Sequence, residues 1–304
     1  MGGDRAGRGQ LGLIACPECP PCHLRHLTAR ARTRGLRVWT TETVAAVSDD
    51  RPEVRFGVSG EEILAAAETR GVVVAGGSIE VRAYWLGRCL SAGIRVLAEP
   101  PLAVDLGRAR TVSGLLTPMA RSVFTPAGTL LTTPQGPENR VVALELSISI
   151  PREVTQSDHL GLLSLPGFDY LGMLEPAFGP LDAVWARTRS LLRSGPSEDW
   201  AIAALRFRDG TEGTFRVSGL GQGDRVSLEL HGRVQTLSAA HALPVEDGPE
   251  LARLYDWFID ALADPQAKEL PGYDLASAVR LHRWMNQSAR MNREVQRHEV
   301  VHGS

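Results

Sequence analysis

The stretch VVVAGGSIEVRAYWLGRCLSAGIRVLAEPPLAVDLGRARTV, residues 72–112, opens on a β-branched apolar run and breaks at Gly76-Gly77. A helical pattern follows over Val81–Ala92, Gly93 stops it, and a second apolar run covers Ile94–Pro101. Buried strand, glycine turn, helix, glycine stop and buried strand make one βαβ unit, and such units build parallel sheets. Working outward, Leu11–Ala15 and Leu36–Thr40 are short apolar strands. Between them Leu24–Arg34 has helical spacing and ends at Gly35, and Gly60–Thr69 is a helix with acidic residues in its first turn. The N-terminal part therefore reads as a doubly wound parallel sheet.

Beyond residue 140 the period changes. In VVALELSISI, residues 141–150, Leu144, Leu146, Ile148 and Ile150 alternate with Ala143, Glu145, Ser147 and Ser149, the mark of a half-buried antiparallel strand. Leu181–Leu192, Asp199–Gly219 and Arg225–Ala239 continue the sheet, with hairpin signals at Asp209-Gly210 and His231-Gly232. Helices over Pro249–Asp264 and Asp274–Val295 close the chain. The fold class is α/β plus α+β: a Rossmann-like domain over 1–116, a linker or loop over 117–140, and a substrate or oligomerisation domain over 141–304. That second domain carries an open, mainly antiparallel sheet with helices on one face, and the last helix is expected to pack back on the first domain.

Composition narrows the function classes. The chain has 304 residues, 43% hydrophobic and 22% charged, with a net charge of −2, so nothing marks a nucleic-acid surface. Lys268 is the only lysine, so chemistry that needs an amine has one candidate. No window approaches the ~18 apolar residues of a membrane span, and a cytoplasmic location is expected. Four cysteines in a chain this long do not make a disulfide framework.

Residues 72–112 resemble the Gfo/Idh/MocA oxidoreductases, in which a helix, an "AG" stop and an "hVLxEKPLA" strand follow one another. GFDYLGMLEPAFGPLDAV (167–184), DWAIAALRFRDGTEGTFRVS (199–218), the Leu254–Ala263 helix and Ser288–Arg290 resemble the same family's second domain. The resemblance implies a Rossmann-like domain followed by an open sheet, and NAD(P)-dependent hydride transfer.

The motifs of that chemistry are altered at three places. LGLIACPECPPCHL (11–24) overlays the family's VGIIGCGxIGxxHL without a gap, and the three fingerprint glycines fall on Ala15, Pro17 and Pro20. Glycines there allow a tight turn and close amide contact with a pyrophosphate, whereas a proline has no N–H and a fixed φ. Thr40 and Thr41 end the second strand, and Glu42 is the nearest carboxylate for a ribose. The lysine of the family's E-K-P falls on Pro100, and its D-x-G-x-H-x-x-D on Leu165, Gly167, Asp169 and Gly172.

The leading expectation is a family homologue that no longer performs standard nicotinamide hydride transfer and carries no nicotinamide cofactor. It serves a bacterial small-molecule pathway as a cofactor-independent lyase, cyclase, isomerase or dehydratase, or as a non-catalytic partner. The alternative is a working NAD(P)H-dependent oxidoreductase with an atypical nucleotide-binding turn.

Candidate catalytic groups are Asp169 and Tyr170, expected to face Glu99 across an interdomain cleft. The competing reading of Asp169 is a helix cap or surface carboxylate. His159 and Asp158 precede that helix and read as a solvated loop. Gly76, Gly77, Ser78 and Pro100 are expected to line the ligand cleft, though the first three also suit a plain tight turn. Cys16, Cys19, Cys22 and His23 admit three readings: a metal site, a reactive thiol or disulfide, or small residues filling the space a cofactor left. Expected partners are a small molecule in the cleft and a second copy of the chain, or an active paralogue, through the C-terminal sheet.

Overall fold

The computed structural model describes residues 9–17, 19–42, 54–100, 102, 106–112, 114–133, 137–151, 163, 167–192, 198–221, 223–243, 247–264, 270–292 and 294–296. The chain divides into two compact units, residues 1–119 with 245–270, and residues 120–244 with 271–304.

The first unit is built on a six-stranded parallel sheet of β1 (Gln10–Ala15), β2 (Arg37–Thr40), β3 (Val54–Arg55), β4 (Thr69–Ala75), β5 (Arg95–Ala98) and β6 (Leu116–Pro118). The spatial order is β3-β2-β1-β4-β5-β6, so the winding direction reverses between β1 and β4. Leu11, Leu13 and Ile14 of β1 and Val72, Val73 and Val74 of β4 are all buried, as central parallel strands covered on both faces must be. The connecting helices are α1 (Cys22–Thr33), α2 (Gly60–Ala65), α3 (Ile79–Ser91) and α4 (Leu106–Thr111). α2 starts on a capping box, with Ser59 accepting from the Glu62 N–H and the Glu62 carboxylate accepting from the Ser59 N–H.

The second unit holds a seven-stranded sheet in the order β12-β11-β7-β10-β9-β8-β13. Its strands are β7 (Val141–Ser149), β8 (Leu181–Arg189), β9 (Trp200–Phe207), β10 (Glu212–Ser218), β11 (Arg225–Gly232), β12 (Thr236–His241) and β13 (Val295–Gln296). Every pair is antiparallel except β10 with β7, which is parallel. Along β7 the expected alternation holds, with Leu144, Leu146 and Ile148 in the core. The unit also holds α5 (Pro126–Thr132) and α6 (Gly167–Phe178).

Two expectations differ from what the fold shows. Residues 117–140, read as a linker, hold β6, a 3-10 turn at Arg121–Phe124 and α5. Their signals are short and punctuated by prolines, and they fold only because Leu116, Val123, Ala127 and Leu131 find cores to enter. The last helix was expected to return to the first domain. Instead α7 (Pro249–Ala263), the helix before it, belongs to the first unit, and α8 (Leu275–Met291) to the second. Phe258 and Leu262 of α7 lie over Gly71 of β4, where a Cβ would collide with Leu262. A seam of Arg30–Asp256 at 3.4 Å and Arg34–Asp260 at 2.7 Å ties α7 to α1. Among the described residues no helix is long and apolar enough to cross a membrane.

Phe258→Ala should therefore destabilise the first unit by about 3–5 kcal/mol. In denaturant unfolding followed by probes in each unit, the first-unit transition should move and the second should not. An unshifted first-unit transition would contradict this placement of α7.

Candidate functional site

In the first unit the residues of interest gather where β1 and β4 end side by side. The Cys16 N–H donates to Ala75 O at 2.8 Å and carries the pairing one residue past the strand. The chain then turns, with the Cys19 N–H donating to Cys16 O at 3.0 Å and the His23 N–H to Pro20 O at 3.2 Å. Pro21 caps α1 with φ −63° and no side-chain cap. Pro17, Pro20 and Pro21 have no N–H, and the amides of Cys19 and His23 are engaged inside the turn, so none of these five residues offers the free amide that a glycine turn gives a phosphate.

Across from it, Gly76 and Gly77 both take left-handed φ values, +75° and +68°. A Cβ on Gly76 would come 2.5 Å from Cys19 Cα, and one on Gly77 2.7 Å from Cys16 Cβ, so only glycine allows the approach. The Gly76 N–H donates to Glu99 Oε2 at 2.7 Å, and His23 Nε2 lies 3.9 Å from Glu99 Oε1. Burial pushes the Glu99 carboxyl up, but the attraction of His23, the Gly76 N–H and the Arg82 charge overcome it and hold it at about 2. His23 Nδ1 is 2.9 Å from the Tyr255 hydroxyl on α7. Ser78 caps α3, accepting from the Val81 N–H, and Pro100 is buried directly after Glu99.

Two groups at this edge went unremarked in the sequence. Tyr255 had no signal, because nothing local says that α7 returns to α1. Arg82 did have one: with Leu86 and Cys89 it falls on the buried stripe of α3, an unusual place for a guanidinium. Its Nη1 donates to Gly76 O at 3.2 Å and Gly77 O at 2.5 Å, while its Nε is buried without a partner.

All four cysteines are free thiols, three of them buried. Burial raises the thiols of Cys16 and Cys19, the latter also pushed up by Glu42 and Glu99, and it takes Cys89 to about 12. Raised thiols are poor nucleophiles. Among the described residues no group of three or more His, Cys, Asp or Glu is placed to hold a metal, so Cys16, Cys19, Cys22 and His23 are not assembled as ligands.

In the second unit Asp169 lies in the first turn of α6 and turns toward the 3-10 turn at Arg121–Phe124. Burial raises its carboxyl to about 7, against the opposing pull of the Arg121 charge and the Ser122 N–H, which donates to it. Its Oδ1 and the nearby Ser122 Oγ are both buried without a partner. Tyr273 stands close enough for the Asp169 charge, with burial, to push its phenol well above the ordinary value. Tyr170 reaches a different partner, its hydroxyl lying 3.3 Å from His241 Nε2 on β12. Asp169 is thus no exposed cap, while Glu99 belongs to the first unit. Asp158, His159 and Leu165 lie outside the described residues. Ser122 and Tyr273 could not be foreseen, since only the tertiary fold brings them to Asp169.

No family profile and no curated relative matches the chain. Solved structures do. The WlbA dehydrogenase from Bordetella pertussis, in complex with NADH and UDP-GlcNAcA, matches with a TM-score of 0.75 and 20% identity over 95% of this chain and 98% of that one. A myo-inositol dehydrogenase from Corynebacterium glutamicum gives 0.73 at 15% identity over 95% and 99%. GenD2 from gentamicin A biosynthesis, in complex with NAD, gives 0.73 at 19% over 97% and 98%.

These matches define the class by fold. The chain has the Gfo/Idh/MocA-type dehydrogenase fold, as the resemblance implied. The expectation of no nicotinamide cofactor is corrected by the same complexes: this is a fold that holds NADH or NAD in solved chains.

The residues of the first unit fit such a group in part. A dinucleotide asks for a carboxylate about 20 residues past the turn for its ribose, and Glu42 stands there, half-buried just after β2. Its phosphates ask for positive charge at the ends of β1 and β4, and the orphaned Arg82 Nε is there. The glycine amides are lacking.

The raised thiols make a direct prediction. Native Cys16, Cys19 and Cys89 should resist iodoacetamide near neutral pH and react at once in denaturant, read by mass spectrometry. Rapid alkylation of native Cys19 would contradict the structural reading.

Proposed function

We propose that the chain is a nicotinamide-dependent oxidoreductase with an altered nucleotide-binding turn, acting on a hydroxyl or carbonyl carbon of a small polyhydroxylated substrate. The observation that carries this reading is Asp169, a carboxyl near 7 with one buried oxygen left unpartnered. Support for the cofactor and substrate class comes from the fold: solved chains that share it include complexes with NADH and UDP-GlcNAcA and with NADH and L-sorbose.

When bound, the nicotinamide supplies a hydride acceptor or donor. The chain supplies the proton chemistry. A carboxyl divided between its two forms near neutral pH can take the proton of a substrate hydroxyl during oxidation and return one to the carbonyl oxygen during reduction. Arg121 and the Ser122 N–H favour the ionised form, and burial opposes them, which places the balance where both directions are open. Pro100 stands where the family resemblance would put a lysine, so in this reading Asp169 carries the proton chemistry without an amine beside it in the sequence motif. Glu42 is assigned to the ribose hydroxyls, which a carboxylate accepts from.

Titration with NADH and NADPH followed by fluorescence should give micromolar binding of at least one; binding of neither would overturn the reading. Asp169→Asn should lower kcat by about 10²–10⁴-fold and remove a pH dependence centred near 7, where wild-type oxidation rises with pH and reduction falls. Unchanged turnover would remove Asp169 from the mechanism.

Stability offers an independent check. The folded carboxyl sits at about 7 against 3.8 as the ordinary value, so Asp169 contributes fully below pH 3.8 and loses that contribution as pH rises through 7. Wild type should therefore weaken over that window relative to Asp169→Asn.

A further inference from the structure

We infer that Arg82 is the phosphate-binding cation of the first unit, replacing the amides that the proline turn has lost. The inference rests on the nucleotide reading above for the identity of its ligand, but not for the existence of an anion site.

Arg82 is 9% exposed, and its hydrogen bonds all leave from Nη1, to Gly76 O and Gly77 O. Its Nε has no partner, and among the described residues no carboxylate comes within ion-pair distance. Glu99 feels the Arg82 charge, yet its oxygens are turned to the Gly76 N–H and to His23. Buried guanidinium groups are paired as a rule, because an uncompensated charge away from water is costly. An unpaired one at the edge of a sheet calls for an anion from outside.

The geometry says which kind. A guanidinium offers a planar fork, and with Nη1 fixed on two carbonyls the edge that includes Nε remains for an acceptor. That edge suits two oxygens of one phosphate. The left-handed Gly76 and Gly77 orient the carbonyls that hold Nη1, so the backbone sets the guanidinium before any ligand arrives. Its place is the end of β4 beside β1, the winding reversal where ligands meet doubly wound sheets. Three prolines have removed donors from the facing turn, and Arg82 supplies the missing positive charge from α3.

Free pyrophosphate and the pyrophosphate of a dinucleotide share this chemistry, so both are probes. Calorimetric titration of the full chain, wild type, Arg82→Gln and Arg82→Lys, with inorganic pyrophosphate and with NADH separates them. Wild type should bind both, and Arg82→Gln should bind each at least about 10-fold more weakly. Arg82→Lys keeps the charge without the fork and should fall between. Affinities for both probes within two-fold of wild type in Arg82→Gln, or no pyrophosphate binding by wild type, would overturn the inference. Arg82-dependent pyrophosphate binding without NADH or NADPH binding would support the anion site and sink the nucleotide reading instead. Should Arg82→Gln fail to fold, Arg82→Lys decides: weaker binding at an unchanged unfolding temperature supports the assignment, and equal affinity overturns it.

Discussion

The first unit turns on one close approach, that of the end of β4 to the backbone of the turn between β1 and α1. With Cys19 Cα 2.5 Å from where a Cβ on Gly76 would sit, and Cys16 Cβ 2.7 Å from one on Gly77, neither position admits a side chain. Glycines at a first βα turn give freedom for phosphate contact; here that turn is stiffened by Pro17, Pro20 and Pro21, and the freedom stands at the end of the neighbouring strand. Several features follow from that exchange. The Gly76 amide faces Glu99, the Gly76 and Gly77 carbonyls face Arg82, and the space between the two strand ends is filled by Cys16 and Cys19.

Around this contact the unit arranges an unusual amount of buried polarity. His23 enters from the first turn of α1, bridging Glu99 and the Tyr255 hydroxyl of α7. Tyr255 also stacks on His26, which is paired with Asp247 at 2.7 Å. α7 thus does more than cover β4 with Phe258 and Leu262: it sets the Tyr255 hydroxyl against His23, whose other ring nitrogen faces Glu99 at 3.9 Å. A histidine that looks like a metal ligand beside three cysteines is held instead by a carboxylate and a phenol.

Much of the fold was legible because its signals are local. Val72–Val74 and Leu11–Ile14 are too apolar for anything but central strands, and β7 alternates without a break. What was not legible depends on contacts between distant segments. The stretch 117–140 reads as a loop because α5 has only about two turns and no long apolar stripe, though it closes against a core. The prolines at Pro17 and Pro20 read as the loss of a cofactor, since sequence shows only donors removed; Arg82 lies more than sixty residues away, and only the fold brings it to the same strand ends. Asp169 was found by its position against a motif, but its raised carboxyl comes from burial beside Ser122 and Tyr273, neither of which any spacing connects to it.

On the proposed reading, the first unit offers Arg82 and Glu42 to the phosphate and ribose of a dinucleotide, and the second offers a neutral-range carboxyl. The role proposed for the first unit carries the rest, because the proposed hydride transfer needs a place for its dinucleotide. A crystal structure of the chain grown with NADH tests it most directly. The account predicts a dinucleotide at the ends of β1 and β4, with a phosphate oxygen about 2.7–2.9 Å from the Arg82 guanidinium and the Pro17–Pro21 backbone unmoved. A dinucleotide held elsewhere, with Arg82 still bonded only to Gly76 and Gly77, would contradict it.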